Sequence, residues 1–215
     1  MARSPAISLA PAAKIFNYGT IDGSLTFGAA STYNGLAGII TGDITGSDGN
    51  DKILMGSDPY NHHLNGGAGN DVINGGGGTG TDVIYGGLGR DTLIGGDGAN
   101  IFVYKHVAES KGAHYDVTNI SEGSKIDVNV PVQAVDPTIV NATINEGTSF
   151  TAQLAAILGP GALHAHDAVV VQANEGTDVG YFLVIDANGM AGYQASGDYV
   201  IEIRFGGGVT IHNFI

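Results

Sequence analysis

Large apolar residues recur at intervals of nine or eleven residues through the middle of the chain, each standing among polar or glycine neighbours. Successive side chains of a strand point to opposite faces, so one apolar residue between two polar ones predicts a short strand with a single buried side chain. The pattern therefore predicts a series of very short strands separated by turns. The apolar positions are Ile53, Leu64, Ile73, Ile84, Leu93 and Phe102.

Glycine and aspartate occupy fixed places in the turns between these strands. Three consecutive units match G-G-x-G-x-D-x-U-x at every fixed position, where U is the large apolar residue. Glycine turns through positive φ without a Cβ clash and lets carbonyl groups crowd around one point. The matching units are 66–74, 77–85 and 86–94; less regular copies are 46–54, 95–103 and 57–65, the last with His62 in place of aspartate.

A nine-residue unit of this kind is one turn and one strand, so two units complete one coil with strands in two sheets. Turns on the same side then stack at every second unit, about 4.8 Å apart. This brings aspartates of successive coils together, where they repel each other unless a cation lies between them. Calcium suits such a place because it accepts about 6–8 oxygens from carboxylates and carbonyls with loose geometry.

Residues 46–103 resemble the parallel β-roll of RTX proteins, whose signature is this nonapeptide. In that family one turn contributes two carbonyls and its aspartate, and the turn two repeats later contributes two further carbonyls and its own aspartate. The resemblance implies three calcium sites, two on one side of the roll and one on the other. The implied ligands are Ser47, Gly49 and Asp51 with Gly66, Ala68 and Asp71; Gly67, Gly69 and Asp71 with Gly86, Leu88 and Asp91; and Gly78, Gly80 and Asp82 with Gly95, Asp97 and Asn100.

The C-terminal half alternates strand-like runs with turns and contains one helix candidate, 148–159, which Thr148 or Ser149 would cap. Strands are predicted at 168–173, 181–187 and 198–205, residues 131–147 are interpreted as loop and edge strand, and the run 209–215 closes the chain. This half resembles the C-terminal regions of serralysin-type and type I-secreted bacterial surface proteins, through Tyr115-Asp116, Lys125-Ile126-Asp127 and the segment 181–203. The resemblance implies an uncleaved export signal that also caps the roll.

Composition narrows the choice of function. A formal charge of −13 argues against nucleic acid as a partner and suits multivalent cations. The first residues lack an apolar core of signal-peptide length, no stretch approaches a membrane span, and there is no cysteine. No metalloprotease, nucleophile-elbow or cysteine-nucleophile motif is present, so we expect no enzymatic activity.

Other motifs have simpler interpretations. The pairs His62-His63 and His164-Ala165-His166 lack further zinc ligands at suitable spacing and are interpreted as loops. The G-x-G-x-x-G run at 75–80 is followed by a strand where a dinucleotide site needs a helix. The segment 186–192 has no closing glutamate of an EF-hand, and we interpret it as a hairpin turn.

We therefore predict an all-β chain: residues 1–41 form an N-terminal cap or linker, 42–105 a calcium-binding β-roll, and 106–215 a capping and type I secretion-signal region with one short helix. We expect an extracellular, calcium-folded surface or matrix module, exported by type I secretion machinery, with a polysaccharide or cell surface as a further candidate partner. The alternative is the C-terminal module of a larger secreted protease, lipase or epimerase. A cytosolic calcium buffer is disfavoured because extracellular modules of this type bind calcium at about 10⁻⁴–10⁻³ M.

Overall fold

The computed structural model describes residues 6–110, 115–120, 123–143, 148–175, 178–204 and 211–215. Its architecture is mostly β, a parallel β-solenoid of about six turns followed by a β-rich C-terminal part. The predicted fold class is thereby confirmed. In the described part of the chain, no helix is long and apolar enough to cross a membrane.

Two parallel sheets face each other across the solenoid. Their strands are β1 (Ile7–Leu9), β2 (Lys14–Phe16), β4 (Leu25–Phe27), β5 (Thr32–Asn34), β7 (Ile44–Thr45), β8 (Lys52–Leu54), β9 (His63–Ala68), β10 (Val72–Asn74), β11 (Val83–Leu88), β12 (Thr92–Ile94), β13 (Ile101–Tyr104), β14 (Val117–Asn119) and β15 (Lys125–Val128); β3 (Thr20–Ile21) and β6 (Ile39–Ile40) form a small third sheet. One of the two large sheets runs in the order β1-β4-β7-β9-β11-β13-β15, and the other includes β2-β5-β8-β10-β12-β14.

The apolar column predicted from the sequence forms the core of the solenoid. Ile73 is in register with Ile53 on one side and Leu93 on the other. On the facing sheet, Ile84 lies between Leu64 and Phe102. All six side chains are buried, so each coil adds one side chain from each sheet to a continuous apolar stack.

The solenoid also includes much of the chain before residue 42, for which the sequence predicts a cap or linker. Strands β1 to β6 lie in this part, and β4 pairs with β7 while β5 pairs with β8. Leu25, Phe27 and Tyr33 continue the buried stack, although no glycine–aspartate repeat precedes them. The N-terminal part is therefore built as further coils rather than as a separate layer.

The C-terminal part extends one of the two sheets beyond the solenoid. Strand β14 pairs in parallel with β20 (Asp198–Arg204), which continues into antiparallel β19 (Asp178–Asp186) and β18 (Asp167–Glu175). The short strands β16 (Ala134–Val135) and β17 (Val140–Thr143) pair with the far side of β18. These strands confirm the three predicted in this half and place the expected edge strand within 131–143; residues 144–147 lie outside the described ranges.

One α-helix, α1 (Phe150–Ile157), occurs in the described part of the chain and lies within the predicted range 148–159. Ser149 caps it, because its hydroxyl accepts the backbone N–H of Ala152 at 3.3 Å. Leu154 and Leu158 are buried in a second apolar cluster with β18 to β20. Of the closing run 209–215, residues 209 and 210 lie outside the described ranges, a 3₁₀ turn spans Ile211–Asn213, and Phe214 bridges to Ile126.

Truncation of the apolar stack should weaken the solenoid. We predict that Ile73→Ala lowers the free energy of unfolding by about 2–5 kcal/mol, because it leaves a cavity between two packed coils. Urea unfolding in saturating calcium, followed by circular dichroism, measures this change. The matched control is Leu88→Ala, since the Leu88 side chain is 53% exposed; equal losses in the two variants would contradict the predicted core.

Candidate metal centre

The repeat aspartates stack in the turns, one coil apart, and each uses one carboxylate oxygen to bind the backbone of the preceding coil. Asp71 Oδ1 accepts the N–H of Asp51 at 2.7 Å, and Asp91 Oδ1 accepts the N–H of Asp71 at 2.7 Å. Asp116 extends the series, since its Oδ1 accepts the N–H of Asp91 at 2.8 Å. This column fixes the register of successive turns.

The second carboxylate oxygen of two of these aspartates has no partner. Oδ2 of Asp71 and Oδ2 of Asp91 are buried and make no hydrogen bond to any described residue. Asp51 differs, because its Oδ2 accepts the N–H and the hydroxyl of Ser47 at 2.7 and 2.8 Å. A buried carboxylate oxygen without a partner is costly, and a cation ligated at this oxygen removes that cost.

Glycine leaves room beside each of these oxygens. A Cβ on Gly66 would lie 2.2 Å from Asp71 Oδ2 and 2.5 Å from the carbonyl oxygen of Gly86. A Cβ on Gly46 would lie 1.9 Å from the Gly66 carbonyl oxygen and 3.0 Å from Asp51 Oδ2. In each case a carboxylate oxygen and a carbonyl oxygen of the next coil flank the same point, and in each case both were predicted as ligands of one calcium ion.

Glycine is also needed for the turn itself. Gly67 has φ +105°, and a Cβ there would lie 2.1 Å from the carbonyl oxygen of Ser47. Any larger residue would strain the backbone and push neighbouring coils apart. The close stacking that brings carbonyl oxygens toward the aspartates thus depends on the glycines of the repeat.

The opposite side of the roll has a related but weaker arrangement. Asp82 Oδ2 and the Gly95 carbonyl oxygen flank the point where a Cβ on Gly75 would lie, at 2.7 and 2.3 Å. Asn100 Oδ1 accepts the N–H of Asp82 at 2.9 Å, while its Nδ2 donates to the carbonyl of Asp97 at 3.0 Å. The amide therefore has an N–H group where the repeat aspartates present their second oxygen, so Asn100 contributes less to a cation than an aspartate would.

Burial makes these carboxylates difficult to ionise without a cation. Burial raises the pKa of Asp71 to about 7; the N–H of Asp51 opposes the shift, and the charges of Asp91 and Asp51 add to it. Burial likewise raises the pKa of Asp91 to about 6 and that of Asp116 to about 9, with the charge of Asp91 adding to the second shift. The ionised carboxylates of this column would repel each other, and a bound cation would reduce that repulsion.

The described contacts bring together part of the predicted ligand set. Asp51 lies with Gly66, Asp71 with Gly86, and Asp82 with Gly95, as the three implied sites require. Within the described residues no three His, Cys, Asp or Glu side chains converge on one point, and the predicted sites use mainly backbone carbonyls. The ligand role of all these residues stays a prediction, and so does that of the other members of the set: Ser47, Gly49, Gly67, Ala68, Gly69, Gly78, Gly80, Leu88, Asp91, Asp97 and Asn100.

Two acidic residues of this region were not predicted as site residues. Asp116 is buried at the end of the aspartate column, and its only sequence signal is its place in the Tyr115-Asp116 pair. Asp58, in the irregular repeat, is buried against His62. Neither residue occupies the aspartate position of a nonapeptide, so the repeat pattern gives no reason to select them.

The remaining candidate motifs have simpler structural roles. The run 75–80 lies in the turns of the roll and precedes β11, as predicted. The interpretation of His62-His63 as a loop is wrong, because His62 is buried and His63 begins β9. Exposed His63 lies 3.3 Å from Asp43, and His164 lies 3.5 Å from Asp167. The segment 186–192 begins the connection from β19 to β20, and Asp186 Oδ1 accepts the N–H groups of Asn188 and Gly189. This is a side-chain-stabilised turn between antiparallel strands, as predicted.

Comparison with known proteins matches the repeats to a calcium-binding family. The family described as RTX calcium-binding nonapeptide repeat (4 copies) matches residues 61–79 and 76–104. The solution structure of the AlgE6R2 subunit of the Azotobacter vinelandii mannuronan C5-epimerase is similar at 20% identity, with a TM-score of 0.41, over 77% of this chain and 90% of that chain. No curated protein matches the chain significantly.

Removal of Asp71, the aspartate that two predicted sites share, should abolish the binding of more than one calcium ion. Asp71 belongs to both sites on its side of the roll, so we predict that Asp71→Ala binds two fewer calcium ions than the unmodified chain. Native mass spectrometry in calcium counts the ions directly. Asp48→Ala is the matched control, because Asp48 is an exposed residue of the neighbouring turn; loss of one ion or none from Asp71→Ala would contradict the shared role.

Without calcium, protonation at low pH should partly take its place by neutralising the stacked aspartates. The folded-state pKa of Asp71 is about 7 against its usual 3.8, so the fold binds more protons than the unfolded chain between these values. The contribution of Asp71 to calcium-free stability is then fully present below about pH 4 and is lost as pH rises through 7. We predict more β structure at pH 5 than at pH 8 in protein and buffers stripped of calcium on a chelating resin, by far-UV circular dichroism, with a smaller difference for Asp71→Asn. A spectrum richer in β structure at pH 8 would contradict this.

Proposed function

The chain carries RTX calcium-binding repeats, and we propose on that premise that it is a secreted module which becomes rigid when calcium binds. The observation that carries the proposal is the pair of buried Oδ2 atoms of Asp71 and Asp91, which have no partner in the described part of the chain. Each lies beside glycines that leave space for an ion and, at Asp71, beside a carbonyl oxygen of the next coil. The residues present therefore fit calcium, which prefers carboxylate and carbonyl oxygens.

Separate groups of the chain would orient the carboxylate ligands and bring the carbonyl ligands close to the ion. Oδ1 of each aspartate is fixed by a backbone N–H of the neighbouring coil, which orients Oδ2 toward the glycine-lined space. The glycines allow carbonyl oxygens of two successive turns to approach that space. Calcium, when bound, supplies the positive charge that lets the stacked carboxylates ionise together. Binding and coil formation are therefore one event, because the ligands come from turns that are adjacent only in the coil.

An extracellular location suits this coupling. Modules of this kind outside cells bind calcium at about 10⁻⁴–10⁻³ M, far above cytosolic concentrations. The chain would remain largely unfolded where it is made and would order where calcium is abundant. The resemblance of the C-terminal half to type I-secreted proteins supports export by that machinery, which an unfolded chain can pass through.

Outside the cell we assign the module a structural or adhesive role at a surface or in a matrix, without catalysis. In the solenoid, one oxygen of Asp71, Asp82 and Asp91 already binds a backbone N–H group, and we assign the second oxygen to the proposed metal sites. The chain's formal charge of −13 gives the folded module an acidic character suited to cation-bridged contact with an anionic surface or polysaccharide.

Calcium should convert the chain from a largely disordered to a β-rich state. We predict a cooperative gain of β signal in far-UV circular dichroism as calcium is titrated into EGTA-treated protein, with reversal on adding EGTA. Magnesium at equal concentration is the matched control and should be much less effective, since it needs a tighter octahedral site. A spectrum unchanged by EGTA would overturn the proposed function.

A further inference from the structure

The irregular repeat 57–65 has a histidine at the position of the repeat aspartate. His62 and Asp82 are one coil apart on the side opposite the Asp51–Asp91 column. The backbone register of this coil is normal, since the N–H of His62 donates to Asp82 Oδ1 at 2.9 Å. The turn therefore stacks like the others although its own metal-binding carboxylate is missing.

The imidazole ring is buried and bonded at both nitrogens. Its Nε2 lies 2.8 Å from Asp58 Oδ1, with the two side chains 1% and 4% exposed. Its Nδ1 lies 2.8 Å from the carbonyl oxygen of Gly42 in the preceding coil. Because a carbonyl oxygen only accepts, Nδ1 is a donor. The ring thus links two coils and binds a carboxylate within its own turn.

This arrangement contrasts with the regular repeats. At Asp71 and Asp91 the side chain at the aspartate position has a buried oxygen that nothing described satisfies. At His62 the corresponding side chain offers no oxygen, and both of its polar atoms have partners. The aspartate position of this turn therefore has no unsatisfied carboxylate oxygen for a cation to ligate.

We propose that the His62–Asp58 pair takes the place of a calcium ion between the turns 57–62 and 77–82. The opposite side of the roll then binds calcium only between Asp82 and Gly95, and the coil before it is closed by hydrogen bonds alone. This inference rests on the proposed calcium-binding function and adds a residue that sets the number of ions. Asp58 Oδ2 is buried and has no partner among the described residues. A calcium ion bound at this oxygen would contradict the inference.

Three variants test the pair by native mass spectrometry in saturating calcium. His62→Asp restores the repeat aspartate and should bind one more ion than the unmodified chain. His62→Gln is the matched control, because it removes the ring without supplying a carboxylate, and its ion count should not rise. Asp58→Asn should bind as many ions as the unmodified chain, since Asp58 serves the histidine and not a metal.

Two results would overturn the inference: an unchanged ion count in folded His62→Asp, or loss of an ion from Asp58→Asn. The Asp58→Asn result decides the matter even if His62→Asp fails to fold, because it is measured with His62 in place. An unmodified chain that binds no calcium would instead refute the proposed function, so the two failures are distinguishable.

Discussion

The structure depends on carboxylates that are buried one above another, a coil apart. Each repeat aspartate gives one oxygen to the backbone of the preceding coil, and at Asp71 and Asp91 the other oxygen has no partner among the described residues. The hydrogen bond sets the register of the solenoid, whereas the second oxygen is buried and unsatisfied. In the function proposed for this chain, the same side chain therefore specifies the coil and makes the coil dependent on a cation.

The apolar stack of the repeat coils is narrow, which fits the proposed dependence on a cation. Each coil contributes one buried side chain from each sheet, such as Ile73 from one and Ile84 from the other, and the intervening turns are rich in glycine. Glycine loses more conformational freedom on folding than any other residue. The N-terminal coils continue the same stack through Leu25, Phe27 and Tyr33, and strands β18 to β20 add a second buried cluster with α1. These two parts carry no repeat aspartates and flank the repeat coils at both ends.

The central coils are predictable from the repeat, because the spacing of Ile53, Ile73 and Leu93 specifies both the position of each strand and its register. The N-terminal coils were not predicted as coils, since Leu25, Phe27 and Tyr33 follow no fixed turn sequence and only their pairing with β7 and β8 reveals them. At the site, sequence identified the aspartates but not the direction of each side chain. The amide of Asn100 and the ring of His62 are oriented by contacts with residues far away in sequence, Asp82 and Gly42, which no local pattern encodes.

Anomalous diffraction from crystals grown in excess calcium tests the central claim most directly. The account predicts anomalous peaks within bonding distance of Asp71 Oδ2, with the carbonyl oxygen of Gly86 as a further ligand of the same ion. A solenoid wound in the same register, with no ion at the second oxygens of Asp71 and Asp91, would contradict it.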